Sequence, residues 1–242
     1  IQRVGLRAAG RPTWKRRRRA TVSLAARRGR SVDSLDITQL VALAAVLGFA
    51  SGIRLYAVLL IVGLVGYAGW VDLPSGLAML QHPVVLMAAG AMFLLEFVVD
   101  KIPGVDTLWD GIQTFVRIPA GAALAAGVFG AMDNAAWTTA AAILGGSLAA
   151  TSHFTKAGAR AAANTSPEPL SNITLSVAED LAVGGLLWLV LTYPWVAAAV
   201  VAAAVLLALW VRPKLFRFIR RVLRTLFGPS AAPPAPTDGA AR

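Results

Sequence analysis

Cysteine is absent from the 242 residues, which excludes a disulfide framework and a cysteine metal site. Histidine occurs only twice, at His82 and His153, too few for a dedicated zinc site. Charge is scarce too: 14% of residues are charged and 57% are hydrophobic, whereas soluble domains carry about 25% charged residues. Nucleophile motifs, phosphate loops and metal-ligand sets are also missing. Neither a cofactor nor a metal is therefore expected. An enzyme is not expected either, and the one arrangement that would serve acid–base chemistry is His153 beside Glu179 or Asp180.

What is present is apolar sequence, in runs longer than the ~18 residues that mark a membrane span. The chain reads as an all-α, polytopic transmembrane helical bundle with the lipid bilayer as its surroundings. Six spans are expected, at about 37–69, 83–101, 118–132, 135–151, 173–192 and 195–211. Between the second and third, Val105, Leu108, Trp109, Ile112 and Val116 recur at helical spacing, with Asp106, Asp110, Gln113 and Arg117 opposite. That pattern predicts a helix over 105–117 lying in the interface plane.

The net charge of +11 is concentrated at the ends. Residues 1–36 hold eleven Lys and Arg against two acids, and 212–242 hold seven against one, whereas 37–211 hold five against nine. The Arg-rich stretch 1–36 reads as a disordered head. A start at Val32 would fit as well, and a transit peptide has a similar composition. Its "WKRRRR" run is read as an orientation signal rather than a nucleic-acid site. Residues 212–227 predict a basic amphipathic helix with Leu215, Ile219, Val222 and Leu226 on one face. Its Lys214, Arg217, Arg220, Arg221 and Arg224 are candidates for contact with anionic lipid at the inner leaflet. Residues 228–242, rich in Pro and Ala, read as a disordered tail.

With both termini in the cytoplasm, the connections 70–82, 132–134 and 193–194 face outside and contain no Lys or Arg. Lys101, Arg117, Lys156 and Arg160 then fall inside, as the positive-inside rule asks. Trp70, Trp137, Tyr193 and Trp195 would form the outer aromatic belt.

Acids within spans are costly and face a bundle interior or a cavity. Glu96 is the clearest case, and Asp100 follows at i+4 on the same helix face. Glu179 and Asp180 lie about two turns inside the fifth span. Arg54 follows Ser51-Gly52, a candidate break in an over-long first span. There it would either bind an anionic group at a half-helix start or pair with Glu96 or Glu179. Arg54, Glu96, Glu179 and Asp180 thus form a candidate polar path. Asp100, Lys101, Asp106, Asp110, Arg117, His153, Lys156, Arg160, Asn164 and Asn172 form its candidate inner mouth. Ala44–Gly48 ("AAVLG") is similar to Ala141–Gly145 ("AAILG"), which would suit a 3+3 inverted repeat.

On Gly52-x-Arg54, Asp100-Lys101-x-Pro103 with Asp106 and Asp110, His153-x-x-Lys156 with Arg160, Asn164, Ser166 and Pro167, and Ser171-Asn172 with Glu179-Asp180, the chain resembles an integral-membrane family. That family is catalogued as domain of unknown function 4126, and the resemblance covers roughly 37–211. It implies a bacterial inner-membrane location and no established activity. Two readings of function follow from the residues. One is a transporter or channel for a small ion or polar solute. The other is a non-transporting scaffold or lipid-contacting protein whose polar residues tie helices together.

Overall fold

The computed structural model describes residues 36–102, 104–130, 132, 134–165 and 169–227. The head 1–35, the tail 228–242, and Pro103, Ser166 and Pro167 lie outside the described residues. The elements are α1 (Ile37–Tyr67), a 3-10 segment (Ser75–Gln81), α2 (Pro83–Val99), α3 (Val105–Val128), α4 (Ala135–Ala163), α5 (Pro169–Thr192) and α6 (Pro194–Phe227). Among the described residues there is no strand. Local sequence accounts for several starts. Asp36 and Gln39 form a capping box on α1, which satisfies backbone N–H groups that have no partner within the helix. His82 Nδ1 accepts from Val84 N, ahead of a Pro at the first turn of α2, and Asn134 Oδ1 caps α4 through Ala136 N at 3.0 Å.

The long first span does not run straight. Arg54 has non-helical dihedrals (φ −143°, ψ 76°), and the chain reverses there. Before Arg54, α1 ascends alongside α4: Gly48 packs on Gly145 and Gly52 on Ala149, and Ile53 O accepts from Lys156 Nζ. After Arg54 the chain descends: Tyr56 bonds Gln113, Gly63 packs on Leu80, and Gly66 packs on Leu73. In a straight helix Gln39 and Val65 would stand ~39 Å apart. Here both line one cavity of about 320 Å3, together with Leu43, Leu47, Ile61 and Val62 of the two arms and Leu187 and Val190 of α5. Thus α1 is a hairpin of two helical arms with Arg54 at its tip.

The described chain therefore starts and leaves at opposite ends of the bundle. Asp36 lies at the end with Trp70, Pro74 and Pro194, whereas α6 reaches the other end, where Leu215 packs on Gly158. The expectation that both termini emerge on one face assumed that α1 crosses once; the termini themselves lie outside the described residues. Nor is the expected inverted repeat borne out. "AAVLG" and "AAILG" run side by side in the same direction, and their final glycines touch.

Two further expectations change for the same packing reason. Residues 105–117 do not form a separate interfacial helix; they are the first half of α3, which continues through Pro119. Asp106, Asp110, Gln113 and Arg117 point into the bundle, and Leu108, Ile112 and Val116 point out. The basic helix 212–227 is likewise the continuation of α6 through Pro213. Leu215 and Ile219 are half-buried on it, while Lys214, Arg217, Arg220, Arg221 and Arg224 are exposed. The side chains of Val222 and Leu226 lie outside what the structure describes.

Three helices are long and apolar enough to cross a membrane: Ile37–Tyr67, Leu170–Thr192 and Pro194–Arg221. The 3-10 segment and α2, bent by 70° at their junction, make a fourth if taken together. α3 and α4 fall outside this set, and they pack closely through Gly121, Ala125, Gly145 and Ala149, small residues that let helix backbones approach. The molecule is inverted relative to a water-soluble protein. Leu94, Leu108, Phe115, Ile143, Leu181 and Leu206 are exposed, whereas Arg54, Arg117, Arg160 and Glu96 are wholly buried. Apolar flanks around a charged interior suit a protein solvated by lipid. Trp70, Trp137, Tyr193 and Trp195 are exposed together at the end remote from the charges, where an aromatic belt belongs.

Candidate functional site

Each buried charge is delivered by helical spacing. Glu96 and Asp100 end α2 one turn apart. Asp106, Asp110, Gln113 and Arg117 recur every three or four residues on the inner face of α3. His153, Lys156 and Arg160 do the same on α4, and Asn172, Ser176 and Asp180 on α5. The tip of the α1 hairpin brings Arg54 into their midst.

Arg54 Nη1 lies 2.6 Å from Asp100 Oδ2, and its Nε lies 3.1 Å from Asp180 Oδ1 and 3.3 Å from Glu179 Oε2. Its Nη2 donates to Ser176 Oγ and Ser176 O at 2.7 and 3.0 Å. One guanidinium thus fastens α1 to α2 and α5. Arg117 bridges Glu96 Oε1 and Asp110 Oδ1. Lys156 sits centrally, with Asp100, Glu179, Glu96 and Asp110 at 3.2, 3.3, 3.6 and 3.6 Å. Arg160 grips both oxygens of Glu179 and bonds Asp100 through carbonyl and carboxylate. Beyond it Asp106 Oδ1 accepts from Gly104 N, Thr107 N and Asn164 Nδ2, and Asn172 in turn donates to Asn164 Oδ1 at 2.6 Å.

The candidate path and candidate mouth are therefore one network of four cations and six carboxylates. Lys101 stands at its rim: its ammonium donates to Phe97 O and lies over the Phe97 ring, and its charge acts on Asp100 and Asp180. His153 does not face Glu179 or Asp180. Its Nδ1 is 3.2 Å from Arg117 Nη1 and its Nε2 is 2.7 Å from Thr114 Oγ1. Arginine can only donate, so Nδ1 accepts, the ring is neutral and its proton is on Nε2. The network is closed except at Glu179 and Asp180, whose side chains keep 13% and 24% of their exposure.

Sequence reasoning missed Ser176, Ser152, Tyr56 and Gln113 as partners. Ser176 was legible, one turn from both Asn172 and Asp180. Ser152, whose Oγ donates to Phe49 O at 2.6 Å, carries no local signal because its partner lies in another helix.

The family model described as Domain of unknown function (DUF4126) matches residues 41–214. The chain belongs to that family. No curated protein and no solved structure matches it. All ten charged groups of the network fall within the stretch that matches the DUF4126 model. The basic residues of α6 from Arg217 onward fall beyond it.

Proposed function

We propose that this DUF4126 protein moves a small ion or polar solute across a membrane, and that the ionic network controls the movement. One observation carries this reading. A helix broken inside an apolar bundle places its break-point arginine, Arg54, against carboxylates from two other helices. Broken helices with charged groups at the break are how membrane transporters build ion sites. Counting the two arms of α1 separately, seven segments cross in this proposal rather than six. The network end faces the cytoplasm, because α6 carries its exposed Lys and Arg there, each worth about 1 kcal/mol against anionic lipid. The location is a plasma membrane, bacterial on the resemblance. By helical rise, Glu96 then lies ~20 Å below the outer end of α2, in the inner part of a ~30 Å core.

Protein reconstituted in liposomes is expected to pass an ion in a flux screen, and Glu96→Gln is expected to reduce that flux at least tenfold. Flux unchanged by the substitution removes Glu96 from the path.

A second reading is favoured by the density of pairing, since each of the four buried cations meets at least two carboxylates. Such a network would simply lock the helices, and the protein would be a scaffold whose basic α6 end grips lipid or a partner. Deleting 212–242 would then abolish function with the bundle still inserted. Full complementation of a deletion strain by the truncated chain removes this reading.

A further inference from the structure

The network is unbalanced. Among the described residues, Arg54, Arg117, Lys156 and Arg160 face Glu96, Asp100, Asp106, Asp110, Glu179 and Asp180, and His153 is neutral. Lys101 acts on Asp100 and Asp180 from the rim, so one negative charge is left over if every carboxyl is ionised. An unpaired charge buried in an apolar interior is far costlier than its neutral form.

The surplus can be located. Asp106 has three N–H donors, and Asp100 and Glu179 each touch three cations. Asp180 keeps access to solvent. Glu96 and Asp110 are different, for both depend on Arg117 and Lys156, and Arg54 reaches Glu96 only at 4.0 Å. Glu96 Oε2 and Asp110 Oδ2 are buried and receive no hydrogen bond from any described group; one oxygen each of Asp100, Asp106 and Asp180 is in the same state, so it is the dependence on the same two cations that singles out this pair. The groups around this pair come from every neighbouring helix: Arg54 of α1, Asp100 of α2, Arg117 of α3, Lys156 and His153 of α4, and Glu179 of α5. From α6, Arg212 lies over the Phe154 ring instead.

We propose that Glu96 and Asp110, which draw on the same two cations, form a proton-binding site in which one of the two carboxyl groups holds a proton that exchanges with water through Glu179 and Asp180. The step is a plain transfer: a hydronium ion gives its proton to a carboxylate and leaves as water. This rests on the transport reading and names its coupling ion. Two carboxyl groups competing for the same cations cannot both ionise cheaply, and proton exchange at such pairs inside spans marks proton relays. Loss of the proton would leave Glu96 free to draw on Arg54, loosening the hairpin tip from Asp100 and Asp180.

The test is infrared spectroscopy of the full chain in lipid nanodiscs at neutral pH. A carbonyl stretch from a protonated carboxyl group is expected, shifting on exchange into heavy water. Glu96→Gln is expected to remove at least half of it, and Asp110→Asn to do the same should the first variant fold poorly. Asp72→Asn, at the opposite end of the bundle, is expected to leave it intact. Absence of the band in the wild-type protein overturns the proposal, as does a band untouched by both network variants. Loss of the band on adding sodium at constant pH also overturns it, since the site would then take a metal cation. The band is read without any flux. A band without flux keeps the proton site and removes transport; flux without the band does the reverse.

Discussion

Arg54→Ala is expected to destabilise the bundle by about 3–5 kcal/mol, the usual cost of removing one partner from a buried ionic cluster. The guanidinium is fully buried and touches Asp100, Glu179 and Asp180, and it donates twice to Ser176. Alanine would leave these carboxylates with less positive charge and no added water. It would also free the tip of α1, because Arg54 is what holds the non-helical turn against α2 and α5. Arg54→Lys is expected to recover only part of the loss, since an ammonium cannot present Nε, Nη1 and Nη2 to three directions at once. Thermal unfolding in detergent, followed by circular dichroism, gives the comparison. A midpoint for Arg54→Ala equal to that of the wild type would show that the network does not hold the hairpin.

Gly48→Leu is the second substitution expected to act strongly. A Cβ at this position would come within 2.6 Å of Gly145 Cα and 2.8 Å of Gly145 O. Those are backbone atoms, so the clash cannot be relieved by a rotamer change; α1 and α4 must move apart. Overpacking of this kind costs about 1–3 kcal/mol and occasionally more. Here the upper end is expected, because separating these helices also pulls Ile53 from Lys156. Gly184→Ala is the contrasting case. Nothing lies within 4 Å of the added carbon, and alanine favours a helix interior over glycine by roughly 1 kcal/mol. A small rise in midpoint is expected there, and a large fall at Gly48, in the same unfolding assay.

The class of fold was legible in composition and in apolar run length. So was most of the site. Glu96 and Asp100 at i+4, and His153, Lys156 and Arg160 at three and four, mark one face of a helix each. What the pattern of α3 could not say was which face looks inward. An amphipathic helix over 105–117 is the same string whether its charges meet water or meet Lys156 and Asn164. The partners on other helices are 21 to 58 residues away, and only the packed bundle brings them near. The reversal at Arg54 was hidden for a related reason. Ser51-Gly52 signals a break, but a kink and a hairpin read alike locally; the direction of the second arm is set by Tyr56 on Gln113 and Gly63 on Leu80. With the hairpin unread, the sequence counts six segments where the proposal above has seven. The positive-inside count took Arg117, Lys156 and Arg160 for charges of inner loops, whereas all three are buried in ion pairs.

The reversal at Arg54 supports everything else, for it carries the arginine into the network and underlies the seven segments proposed. The chain has no cysteine, so Gln39→Cys with Val65→Cys gives a clean pair for spin labelling. Dipolar distance measurement in nanodiscs is expected to find the two labels close together, flanking the same cavity. A distance near the ~39 Å of an unbroken helix would contradict the hairpin and the site built on it.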